Sequence, residues 1–207
     1  MKNNTKPKSK LGMWIAIAII VVAGFLVVRN QFKSPSRVTE EFLSAIKKGD
    51  DGQLKKVYSG SSAPFALTKF KAEAKSDSLT KMMLEMLEDF DYQVKNEKVN
   101  GNKASVTVTI KTYAMGDVVS NLISDARDDP TQYIGYSSDD FKKDIYKEFS
   151  KLKKENKKSY TKNLVINLTK TNGKWQVNDF NSDDLDVILN AVTGNFNSAI
   201  GEANNDY

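Results

Sequence analysis

Phe90-Asp-Tyr-Gln-Val-Lys-Asn-Glu-Lys-Val-Asn-Gly-Asn-Lys-Ala-Ser-Val-Thr-Val-Thr-Ile110 is the stretch that decides the fold. Phe90, Tyr92 and Val94 alternate with polar residues, and Ala104, Val106, Val108 and Ile110 do the same. A period of two puts each set on one face of a strand. Asn100-Gly101 stands between them, and that pair adopts positive φ at little cost, which predicts an antiparallel hairpin. Leu164, Ile166 and Leu168 repeat the alternation, Asn172-Gly173 supplies a second turn, and Trp175 and Val177 follow on the return strand. Two hairpins, each apolar on one side, make a sheet that needs a cover.

The cover comes from segments with helical spacing. Before the first hairpin, Val38, Phe42, Ala45 and Ile46 mark a helix opened by Ser34-Pro35-Ser36 and ended by Gly49-Asp50-Asp51-Gly52. A short helix with Leu54, Val57 and Tyr58 follows, closed by Gly60, then two pieces at Phe65 to Ala74 and Ser78 to Leu87. Met82, Met83 and Met86 of the last piece read as core filler, since methionine adapts to irregular gaps, with an adaptable binding surface as the alternative. Between the hairpins, Val118, Val119, Leu122 and Ile123 predict a helix ending near Asp129-Pro130. A longer one runs from about Ser138 to Lys154, with Phe141, Ile145, Phe149 and Leu152 on its apolar side. Asp183 is placed to cap a final helix stopped by Gly194, and Asn195 to Tyr207 reads as a polar, fraying tail.

Leu11 to Val28 is eighteen residues without a charge. As a helix it covers roughly 27 Å, close to the ~30 Å of a bilayer's hydrocarbon core, so a single transmembrane helix is expected at 11–29. A cleaved signal peptide has a shorter apolar region followed by small residues, whereas Phe25-Leu-Val-Val28 stands at that place here. Four lysines precede the span and the balance of positive charge puts the N-terminus inside. The expected organisation is therefore a cytoplasmic tail at 1–10, the span, a linker at 30–35, and an extracellular α+β domain at 36–195 with a flexible tail at 196–207. The cell membrane is the expected location and the bilayer the first expected partner.

Composition removes whole classes of chemistry. The chain has no cysteine and no histidine, which excludes thiolate nucleophiles and metal sites, imidazole ligands and the Ser-His-Asp arrangement. The net charge of +5 is concentrated at the anchor: residues 1–33 hold six basic and no acidic residues, leaving 25 basic against 26 acidic in the remainder. A near-neutral domain does not predict nucleic-acid binding. Asp125, Asp128 and Asp129, Asp139, Asp140 and Asp144, and Asp183, Asp184 and Asp186 lack the spacing of a calcium loop and fall near helix ends, where they cap or stop helices. No metal, cofactor or catalytic residue is assigned. Lys143, Lys147, Lys151, Lys154 and Lys158 recur at steps of three and four, which predicts a stripe able to contact an anionic surface, or simply a solvated face.

Three local features together resemble the nuclear-transport-factor-2-like superfamily, a cone-shaped α+β fold. They are the Lys47-Lys-Gly-Asp-Asp51 turn after the opening helix, the Val99-Asn-Gly-Asn-Lys-Ala-Ser-Val-Thr-Val108 hairpin, and Thr171-Asn-Gly-Lys-Trp-Gln-Val-Asn178. The chain is similar to the small anchored or lipoprotein-borne domains of low-GC Gram-positive bacteria, and departs from the superfamily pattern in the long insertion at 115–158. The resemblance implies helices packed on a curved antiparallel sheet. Some members are isomerases that need a carboxylate beside a tyrosine in one apolar pocket. Tyr92, Tyr113, Asp91 and Asp179 are the candidates here, and their spacing does not bring them to one point. The expected function is a non-catalytic extracytoplasmic binding or scaffold module for a protein or small ligand, with homo-oligomerisation open. The alternatives are an assembly subunit of a conjugation or secretion channel, or a carboxylate- or tyrosine-based isomerase or hydrolase.

Overall fold

A computed structural model of the protein describes residues 33–65 and 68–205. Among them no helix is long and apolar enough to cross a membrane, and the expected span at Leu11 to Val28 lies outside the described residues.

The fold is α+β, built on a four-stranded antiparallel sheet in the order β1-β2-β3-β4, with β1 at Asp91–Asn100, β2 at Lys103–Thr112, β3 at Tyr160–Thr171 and β4 at Lys174–Val177. Asn172 and Gly173 turn between β3 and β4 with φ of 52° and 79°, the double positive φ of a primed hairpin turn. The first turn sits one residue later than expected. Asn100 pairs with Lys103, so the loop is Gly101-Asn102, and of the two only Gly101 has positive φ. A bulge at Lys95 shifts the register of β1, which puts Val99 opposite Ala104 after Val94 has faced Val108.

One face of the sheet carries Ala104, Val106, Val108, Ile110, Leu164, Ile166 and Leu168, all buried. Two helices cover it: α1 (Pro35–Lys48) before the sheet and α7 (Ser182–Thr193) after it. Helix α1 starts where the Ser34 hydroxyl accepts the Arg37 N–H and stops at Gly49, whose φ of 60° is left-handed. The short α2 (Asp51–Val57) is capped by Asp50 and delivers Tyr58 to β4, where it bridges Val177. Phe42, Tyr58, Phe65 and Phe180 close that end of the core, with ring centroids 5.2–6.2 Å apart. Asn181, not Asp183, caps α7: its side-chain oxygen accepts the Asp184 N–H at 2.8 Å.

A second core lies among α4 (Ser78–Leu87), α5 (Met115–Asp128) and α6 (Ser138–Lys154), with the short α3 (Thr68–Glu73) against α4. Met86, Tyr113, Met115, Val119, Ile145 and Phe149 are buried there, and Met82 and Met83 pack against them, so these methionines fill the core. The polar tail expected from Asn195 onward contains a further helix. Phe196–Asn205 forms α8, with Ala199 buried and Phe196 against Phe149. The four-residue spacing of Phe196 and Ile200 was there in the sequence, but one turn of apolar residues in a polar tail carries too little periodicity to signal a helix.

The two cores meet where backbone touches backbone. The Gly116 N–H donates to the Gly194 carbonyl at 2.8 Å. Gly194 has φ of 61°, and a Cβ there would stand 1.8 Å from the Tyr113 carbonyl oxygen. Gly194→Ala is expected to cost about 2 kcal/mol or more, read as a lower urea midpoint. Gly201→Ala, which meets nothing within 4 Å, should leave the midpoint unchanged or raised.

Candidate functional site

The four tyrosine and carboxylate candidates fall in three places, with Tyr113 and Asp91 brought together around Lys158. The Tyr92 hydroxyl donates to the Glu40 carbonyl at 3.4 Å. Tyr113 donates to Asp89 at 2.7 Å, and Lys158 sits 3.1 Å from Asp89 and 3.2 Å from Asp91. Asp179 accepts from Tyr58 at 2.9 Å. Each of the two close pairs joins an expected residue to one that spacing could not reveal: Asp89 lies 24 positions from Tyr113, and Tyr58 lies 121 from Asp179.

Both paired phenols are held in the neutral form. Burial pushes Tyr58 up to about 12, against the Phe180 N–H that lowers it and with the neighbouring Asp179 that raises it further. Burial, then the hydrogen bond to Asp89, drives Tyr113 up as well. Their rings are only 4% and 1% exposed, so each hydroxyl ties packed elements together. Among the described residues neither a tyrosine nor a carboxylate lines the apolar cleft of about 290 Å³ beneath Ile46, Phe65, Phe90 and Leu189. Acid–base groups and apolar cleft therefore occupy different places, whereas the isomerase chemistry needs them in one.

The lysine stripe is shorter than expected. Lys143, Lys147, Lys151 and Lys154 are exposed along α6, opposite buried Ile145 and Phe149. Lys143 is 2.9 Å from Asp140. Helix α6 ends at Lys154, and Asn156, with φ of 48°, reverses the chain. Helical spacing therefore stops applying before Lys158, which is 10% exposed and bonded to Asp89 and Asp91. It also lies over the Tyr113 ring.

The acidic groups have local partners. Asp140 and Ser137 form a capping box at the start of α6, which holds the Asp140 carboxyl down at about 2 through the Ser137 hydroxyl and then Lys143. Asp129 accepts from Thr131 and Gln132 at a short 3-10 turn. Among the described residues no group of three or more acidic side chains is arranged to hold a metal ion.

Two open surfaces have distinct chemistry. A cleft of about 530 Å³ is lined by Lys33, Lys56, Lys174, Trp175, Gln53 and Gln176. Lys33 reaches Glu41 at 2.6 Å on its wall. A groove of about 510 Å³ runs between β3 and α7, with Asn163, Val165 and Asn167 on one side and Asp184, Val187 and Ile188 on the other. Neither was legible as a site, because each joins residues from distant elements and the groove exists only because β4 is short.

Residues 29–124 match a family model described as a domain of unknown function (DUF4878), from just before α1 into α5. A similar solved structure is that of a candidate lipoprotein, ycdA, from Bacillus subtilis subsp. subtilis str. 168. It shares 12% identity and a TM-score of 0.47, over 80% of this chain and 58% of that one. This chain thus spans little more than half the length of that protein. No curated protein matches the sequence.

Burial alone would raise the Asp89 carboxyl, but the Tyr113 hydroxyl and the Lys158 ammonium together hold it below the usual carboxylate value. A carboxylate depressed in the folded state stabilises above its unfolded pKa of about 4 and loses that contribution as pH falls through the lower folded value. Urea unfolding from pH 5 down to pH 2 should therefore show a drop in stability. Asp89→Asn should be less stable at pH 7 and lose less on acidification; an unchanged pH profile would remove Asp89 as a source of it.

Proposed function

We propose that this chain is a membrane-anchored, extracytoplasmic binding or scaffold module without catalytic activity, tethered by Leu11 to Val28 with its N-terminus in the cytoplasm. The order of helices, hairpin, helical insertion and hairpin is compatible with the cone-shaped superfamily that the sequence resembles. The reading is supported above all by the position of the cleft around Trp175. Its wall includes Lys33, five residues beyond Val28, and five residues of extended chain reach at most about 18 Å. With the apolar segment in the bilayer, this cleft cannot be far from the headgroups. Tryptophan and lysine are the side chains suited to that zone, the ring for its amphipathic character and the ammonium for anionic phosphate.

Protease added to intact cells should digest the chain beyond residue 33, and the mature protein should retain Leu11 to Val28. A mature chain beginning after Val28, or a domain out of reach of protease, would end this reading. In phosphatidylglycerol-containing nanodiscs, full-length protein carrying Trp14→Phe should show Trp175 fluorescence quenched by brominated lipid. Lys56→Gln with Lys174→Gln should weaken that quenching several-fold. Glutamine at Lys143, Lys147, Lys151 and Lys154 is the comparison: if it alone abolishes lipid contact, α6 rather than the cleft faces the membrane.

A further inference from the structure

The groove between β3 and α7 contains backbone groups that the sheet leaves unused. β4 pairs only with Leu168 to Thr171. The Asn178 N–H still donates to the Asn167 carbonyl at 2.9 Å, after which the chain leaves through Asp179 to Asn181 and enters α7. On the other side of the same strand, the Lys170 N–H donates to Asn102 beyond β2. Polar groups of successive residues in a strand point to opposite sides. Even-numbered residues of β3 therefore face β2, and Asn163 and Val165 aim N–H and C=O into the groove. Among the described residues neither of these backbones has a partner outside the ladder.

Proteins normally blunt such an edge. The outer edge of β1 is blunted: it is bulged at Lys95, it bears Lys95, Glu97 and Lys98, and Glu97 binds the Ser36 N–H at 2.8 Å. The groove edge of β3 has no bulge in its pairing with β2 and presents Val165, 61% exposed, near the half-exposed Val187 of α7. Among the described residues the groove's charged side chains are those of Asp179 and Asp184, with no lysine or arginine on its wall. Asp183 and Asp186 add to the same end of α7.

We propose that this edge accepts an extended segment of another protein as a fifth strand, one carrying both apolar and basic side chains. This rests on the reading of the chain as a binding module and specifies the partner. Main-chain hydrogen bonds to Asn163 and Val165 supply the pairing. Val165, Val187 and Ile188 take apolar side chains, and Asp184 and Asp179 select lysine or arginine. A second copy, added edge to edge, would instead bring two acidic helix starts to one seam, where like charges oppose association.

The test uses full-length protein in nanodiscs of neutral lipid and a capped seven-residue peptide of alternating valine and lysine. The peptide should slow amide exchange at Asn163 and Val165. N-methylation of its alternate amides on the bonding side, or glutamate in place of lysine, should weaken binding about tenfold. Val165→Pro removes an N–H that the β2–β3 ladder does not use and should also weaken binding about tenfold; Asp184→Asn should weaken it several-fold. If the proline variant does not fold, the N-methylated peptide still decides. Unchanged affinity for the N-methylated peptide, protection at β1 or the Trp175 cleft instead, or peptide-independent dimerisation that protects Val165 would each overturn strand addition. Lack of peptide binding with Trp175 quenching intact would sink this proposal while leaving the anchored module standing.

Discussion

The register of β2 is the constraint on which the other elements depend. It is hydrogen-bonded to β1 on one side and β3 on the other along nearly its whole length. Ala104, Val106, Val108 and Ile110 lie beneath α1 and α7, while Ser105, Thr107 and Thr109 lie on the opposite face. A slip of one residue would exchange the two sets. Each valine or isoleucine moved to water costs about 1.5–3 kcal/mol, so three of them set a penalty comparable to the stability of a whole domain. Fixing β2 fixes both neighbours, and with them the surface that the two covering helices must match.

The same strand ties the sheet to the helical core. Tyr113 follows directly after β2, and its hydroxyl meets Asp89 just before β1 and, through that carboxylate, Lys158 just before β3. Three chain positions bordering three strands are thereby clasped, which closes the base of the long insertion. Gly116 and Gly194 make the second tie, because only residues without a side chain allow the two backbones to approach so closely. Tyr113, Asp89, Asp91 and Lys158 meet at this junction, whereas Tyr58 and Asp179 pair beside β4. Burial at each of these two places raises the phenol pKa there.

Much of this was legible in the sequence, and the boundary of legibility is physical. Alternation around Val106 and Leu164 and helical spacing around Phe42 and Phe149 report which side of an element meets the core, and both patterns survive whatever packs on them. The Ser34 start and the Gly49 stop of α1 were equally local. Lys158 was misplaced because helical spacing was carried past an end at Asn156, where one left-handed residue redirects the chain. The bulge at Lys95 and the Gly101-Asn102 loop were missed for a related reason: a turn dipeptide locates a hairpin, but cross-strand packing chooses the register within it. The two open surfaces had no local signature at all. A cleft is the space several elements leave between them, and the groove beside β3 depends on where β4 stops.

Charge in this protein is segregated rather than summed. The domain is close to neutral, yet lysines gather at the Trp175 cleft and along α6 while aspartates gather at the start of α7. At physiological ionic strength fields fade over about 8 Å, so a partner senses the residues lining its own site and not the net charge. Such local sites are individually modest, since an added strand gains only a few hydrogen bonds, each with a net value of about 1 kcal/mol. A tether alters what that affinity can achieve. Confinement beside a membrane turns a second contact into a local event at an effective concentration in the millimolar range, which compensates for weak pairing without enlarging the interface. Under the proposed tethering, anchor, basic cleft and open strand edge would act as parts of one arrangement, in which the bilayer supplies proximity and the edge supplies selectivity.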